Sequence, residues 1–68
     1  MNRLFKEILE SGYLYTIEND SNSDFTFINI HDATSLSYTI LEEAVASNLF
    51  SAVVIRNNRL SLRFLKEK

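Results

Sequence analysis

Apolar and polar positions alternate most regularly between Ala52 and Leu65, in the run A-V-V-I-R-N-N-R-L-S-L-R-F-L. Two strand-like segments meet there at Asn57-Asn58, and asparagine tolerates the positive φ that a type I′ turn demands at both central positions. With those residues as the loop, Arg56 lies opposite Arg59, Ile55 opposite Leu60, Val54 opposite Ser61, Val53 opposite Leu62 and Ala52 opposite Arg63. One face then carries Val53, Ile55, Leu60, Leu62 and Phe64, and the other Ala52, Val54, Arg56, Arg59, Ser61, Arg63 and Leu65. This period of two predicts a half-buried antiparallel hairpin, strands 50–56 and 59–66, with the aliphatic face inward and the arginines outward.

Upstream, the pattern alternates between the helical period and the strand period. Leu4, Phe5, Ile8 and Leu9 form one stripe of a helix over 3–11, with Asn2 as its cap, Arg3–Glu7 and Lys6–Glu10 at i, i+4, and Gly12 placed as the C′ residue. Strands follow over 13–19 and 25–31, joined by a D-S-N-S-D turn whose side chains cap their own backbone. A turn over 20–23 pairs Ile17 with Thr26, Tyr15 with Ile28 and Tyr13 with Ile30. That register gathers Tyr13, Tyr15, Ile17, Ile28 and Ile30 on a core face, and sends Leu14, Thr16, Glu18, Phe25, Phe27, Asn29 and His31 to the other. A one-residue slip would put Phe25 and Phe27 in the core instead. A second helix over 34–47 has Leu36, Ile40, Leu41, Ala44 and Val45 as its apolar stripe, Thr39, Glu42, Glu43 and Ser47 on its wet side, and Asn48 as its stop.

The order α-β-β-α-β-β, with no proline and no linker, predicts one α+β domain over 1–68. Its architecture is a two-layer sandwich: a four-stranded, mainly antiparallel sheet with two helices on one face. Strand order is open.

Composition narrows what supports such a small domain. The chain has no cysteine and one histidine, which leaves neither a disulfide nor a structural zinc site, so self-association or tight packing is the expected support. No run approaches the roughly 20 apolar residues of a membrane span, and Arg3, Lys6 and Glu7 interrupt any signal-like apolar segment. A cytoplasmic protein with no membrane partner is the expectation. Net charge is −2 but uneven: residues 1–50 hold two basic and eight acidic side chains, −6, and residues 51–68 hold five basic and one acidic, +4. Such asymmetry suits a contact between opposite charges.

Candidate chemistry is sparse. Asp20, Asn22 and Asp24 open like a calcium loop, but Phe25 stands where the turn needs glycine and His31 where the bidentate glutamate belongs, so a polar hairpin turn is the better reading. His31 and Asp32 are neighbours on a strand end and point apart, and Glu42-Glu43 diverge on a helix; neither makes an acid–base pair. Gly12 is the sole glycine, so there is no phosphate-cradling loop and no G-x-x-G clamp. Neither a catalytic motif nor a cofactor motif is present, and the chain reads as non-enzymatic with no cofactor and no metal.

The outward sheet face is the informative surface. It gathers Leu14, Phe25 and Phe27 with Arg56, Arg59 and Arg63, apolar and basic together, on the side that two helices would leave open to water. Opposed Arg56 and Arg59 repel in an isolated hairpin and invite an acidic partner. The expected partner is therefore another copy or another protein, as for a small accessory or inhibitory binder. The alternative is single-stranded nucleic acid, with the phenylalanines stacking bases and the arginines holding phosphates. A pI near 5.2 weighs against it.

Overall fold

The structure is a computed structural model and describes residues 2–66. Met1, Glu67 and Lys68, which close the 1–68 span and carry two of the charges counted above, lie outside the described residues. The elements are α1 (Asn2–Glu10), β1 (Tyr15–Asn19), β2 (Phe25–Ile30), α2 (Tyr38–Ala46), β3 (Phe50–Arg56) and β4 (Arg59–Leu65). They form an α+β domain with one antiparallel four-stranded sheet, order β1-β2-β4-β3. No described helix is long and apolar enough to cross a membrane.

Helix α1 presents Leu4 and Ile8 to the core and stacks Phe5 on Tyr15 of β1, ring centroids 4.9 Å apart, while Leu9 stays exposed. It starts at Asn2 itself, which is helical rather than a preceding cap. Gly12 ends it at φ +86°, with Tyr13 N–H donating to the Ile8 carbonyl and Gly12 N–H to the Leu9 carbonyl, a Schellman closure. A Cβ at Gly12 would meet nothing within 4 Å, so only the backbone angle requires glycine there. Of the two expected i, i+4 pairs only Lys6–Glu10 closes, at 3.9 Å on the surface.

The first hairpin differs from the sequence reading by two residues. Tyr15 pairs with Ile30, Ile17 with Ile28 and Asn19 with Thr26, and Tyr13 precedes the strand. The reason is a longer self-capped turn: Asp20 accepts from Asn22 N–H at its carboxylate and from Ser23 N–H at its carbonyl, and Ser23 Oγ accepts from Phe25 N–H. Lys66 holds the same turn, its N–H donating to the Asp24 carbonyl and its ammonium to the Asp20 carbonyl. A slip of two conserves the faces, so Ile28 and Ile30 remain core, and Phe25 and Phe27 remain on the other side.

Helix α2 begins at Tyr38, four residues later than the spacing predicts, because Asp32 takes a positive φ of 61° and Ser37 is the working cap, its Oγ accepting from Ile40 N–H. Leu36 packs on the core from the preceding loop. Of the helical stripe only Ile40 and Ala44 are buried. Asn48 stops the helix at φ 66°.

The second hairpin has the register derived from its pattern, with Asn57 and Asn58 at φ 52° and 63° as a type I′ turn requires. A bulge between Phe50 and Ala52 lets Phe50 meet Phe64, rings 5.5 Å apart. Its inward face is only partly inside. Leu62 and Phe64 are buried, whereas Val53 and Ile55 are exposed, because β3 is an edge strand that the helices touch without covering. The core joins Leu4 and Ile8 of α1 and Ile40 and Ala44 of α2 to Ile28, Ile30, Leu62 and Phe64 on one face of the two central strands.

Candidate binding face of the sheet

The face opposite that core is built by β2 and β4 pairing, which sets Phe25 beside Leu65, Phe27 beside Arg63 and Asn29 beside Ser61. Strands β3 and β1 flank it and add Arg56, Ser51, Glu18 and Thr16 to its polar groups. Arg56 of β3 crosses the sheet, its guanidinium carbon 3.8 Å from the centroid of the Phe27 ring and its Nη2 donating to Glu18 Oε2 of β1 at 2.8 Å. Arg63 lies over Phe25 at 4.6 Å, with Nε and Nη2 donating to Ser51 Oγ at 3.2 and 3.1 Å. The two phenylalanine rings sit 6.4 Å apart at 55°.

Beneath Arg56 a hydrogen-bonded belt crosses the other strands. Ser61 Oγ donates to Asn29 Oδ1 at 2.6 Å, and Asn29 Nδ2 reaches Thr16 Oγ1 at 3.4 Å and Glu18 Oε1 at 3.3 Å. Ser61 is fully buried, although it lies on the face with no helix over it. The hydrogen bond from Arg56, and then that from Asn29, holds the Glu18 carboxyl below the usual carboxylate range. Arg56 Nη1 is buried without a hydrogen-bond acceptor, while the same guanidinium is paired with Glu18 and lies over the π-face of Phe27.

Of the residues singled out from sequence, Phe25, Phe27, Arg56 and Arg63 come together on this face. Leu14 does not join them. It lies exposed just before the edge strand, its carbonyl accepting from His31 N–H. Arg59 sits at the turn, opposite Arg56, beside a shallow recess with Ala33, Thr34, Ile55, Asn58 and Leu60. The surface expected to lie bare is instead half-covered by its own arginines. The acidic group expected from a partner for Arg56 is Glu18 of the same chain. Glu18, Asn29, Ser61 and Leu65 belong to this face and had not been singled out. The parity of their strands gave the face, but only the β2–β4 adjacency brings them within reach.

Chemically the arrangement offers guanidinium edges, half-exposed rings and amide or hydroxyl groups. Among the described residues no three His, Cys, Asp or Glu side chains converge as a metal site would require. Compared with protein-family models, curated proteins and solved structures, the chain matches none of them.

Proposed function

We propose that the chain is a non-enzymatic binding module of the cytoplasm that takes an acidic partner protein on its outer sheet face, around Phe25, Phe27, Leu65 and Arg63. The observation that carries this reading is the Arg63–Phe25 stack beside exposed Leu65, with a serine hydroxyl rather than a carboxylate bound to Arg63 among the described residues. Arginine and aromatic anchors dominate binding energies at interfaces, and a side chain already held in place loses little freedom on binding. The face carries Arg56 and Arg63 against Glu18, so its charge is complementary to an acidic surface.

A foreign protein fits this face better than a second copy. Two identical faces meeting about a two-fold axis would oppose like charge with like charge. Packing this face on the acidic α2 of another copy is head-to-tail, a contact that ends only by closing a ring and otherwise runs on as an open chain. Single-stranded nucleic acid is the weaker reading, since stacking uses open rings and both rings here already carry a guanidinium.

The test is titration with acidic peptides that each bear one aromatic or aliphatic anchor, read by NMR at Phe25, Phe27 and Arg63. Binding that weakens with salt and is lost in Arg63→Glu is the expected result. A response to oligothymidylate with none to any peptide overturns the proposal.

A further inference from the structure

The two most exposed large apolar side chains among the described residues, Tyr38 at 77% and Ile55 at 75%, are not on the outer face, and Val45 at 60% and Val53 at 41% accompany them on the same two elements. All four come from α2 and β3, two elements in contact. Val53 and Ile55 pair with Leu62 and Leu60 and so point to the helix-bearing side. Tyr38, Leu41 and Val45 follow one another at i, i+3, i+7 and form a single stripe, turned by roughly 60–160° about the helix axis from Ile40 and Ala44.

The backbone of β3 is also open. In the order β1-β2-β4-β3 it has β4 on one side and no strand on the other among the described residues. The Arg56–Arg59 pair that closes a two-residue turn is hydrogen-bonded, so Val54 and Ala52 also address β4, while Val53 and Ile55 turn their N–H and C=O groups outward. Exposed edges are ordinarily blunted by charge, proline or brevity. Residues 51–55, S-A-V-V-I, have neither charge nor proline, whereas the opposite edge, β1, is five residues long and carries Glu18.

We infer that β3 pairs antiparallel with β3 of a second copy about a two-fold axis through Val54, setting Val53 opposite the partner's Ile55. The bulge between Phe50 and Ala52 selects this register, because it confines regular strand to residues 52–56, whose centre is Val54. The same strand meets itself, so the contact is isologous and closes at two copies. On the outer side Arg56 then faces the partner's Ala52, a small neutral residue, and remains engaged with Glu18. On the helix side the two Tyr38–Leu41–Val45 stripes flank the junction. Covering these side chains in both copies removes on the order of 1,000 Å² from water, the lower bound for a specific interface. This surface is separate from the outer face, so the dimer is an eight-stranded sheet presenting two copies of that face and binds a repeated partner bivalently.

Light scattering should give twice the 7.9 kDa of one chain, falling on dilution. Val53→Pro removes one outward N–H without touching the ladder to β4, a placement edge strands accept. Ile55→Lys puts a charge at the junction. Each should leave a folded monomer and raise the dimer dissociation constant by about tenfold or more, while Arg63→Glu leaves the mass unchanged. In the unaltered chain the amides of Val53 and Ile55 should exchange slowly when concentrated and fast when dilute, and this decides the matter even where a variant fails to fold. A chain monomeric at millimolar concentration overturns the inference. So does a dimer whose Val53 and Ile55 amides exchange freely, or one lost in Arg63→Glu but kept in Val53→Pro.

Discussion

The two faces of the sheet are kept from water by opposite means. On one, helices bury Ile28, Ile30, Leu62 and Phe64 completely at the centre, yet Ile17, Val53 and Ile55 of that same face stay exposed at the margins. On the other no helix covers the sheet among the described residues, but Arg56 and Arg63 fold across Phe27 and Phe25, and Ser61 of that face is as buried as any core residue. A packed layer protects what lies under it and stops at its own edge. Long side chains instead reach across to neighbouring strands, Arg56 from the edge strand β3 and Arg63 from central β4, and protect the middle with their stems on apolar surface. The absence of a layer therefore did not mark the barest apolar surface, which lies at the rim of the helix-covered side.

Substitutions can separate the two kinds of cover. The largest effect is expected for Leu62→Ala, about 2–5 kcal/mol, because nothing can collapse into the space between two helices and a sheet. A domain of this size holds on the order of 5 kcal/mol in all, so this variant should be largely unfolded by circular dichroism. Phe27→Ala should cost less, about 1–2 kcal/mol in urea melts, since the ring is half-exposed and the loss is of its stack with Arg56. Equal losses for the two variants would mean that the outer face is packed like the core. The smallest effect belongs to Glu18→Gln and depends on pH. The folded-state pKa of Glu18 is depressed below 4.5, so its contribution is present above that value and is lost as pH falls through the lowered one. The unaltered chain should therefore lose more stability than Glu18→Gln on acidification, and the gap should shrink with salt. Parallel pH profiles of the urea midpoint would show that the Arg56–Glu18 contact does not hold the face together.

What the sequence showed of this fold follows from how local each determinant is. The Asn57-Asn58 turn sets its register within two residues, and every pair from Arg56–Arg59 to Ala52–Arg63 followed from it. The turn between β1 and β2 is longer and is shaped by Asp20 and Ser23 side chains, so alternation fixed which face each residue takes but not its opposite number. The start of α2 differs from the expectation because Asp32, Thr34, Ser35 and Ser37 all qualify as caps, and only the hydrogen bond from Ile40 N–H to Ser37 Oγ shows which one is used. The stack of Arg56 on Phe27 could not be read at all. It joins residues 29 positions apart through a strand order that no local pattern encodes.

β4 is the last of these strands to be synthesised and ends up in the middle. All pairing at the centre of the sheet joins residues 25–30 to residues 60–65. Until β4 emerges from the ribosome, the chain has only two short helices and the β1–β2 hairpin to work with, and such pieces are marginal in water by themselves. Leu62 and Phe64, two of the eight buried apolar side chains among the described residues, are also missing until then. The nascent chain consequently gains no protected structure by degrees. Before β4 is made the chain stays open to proteases and chaperones, and the pairing that closes the sheet arrives with that strand.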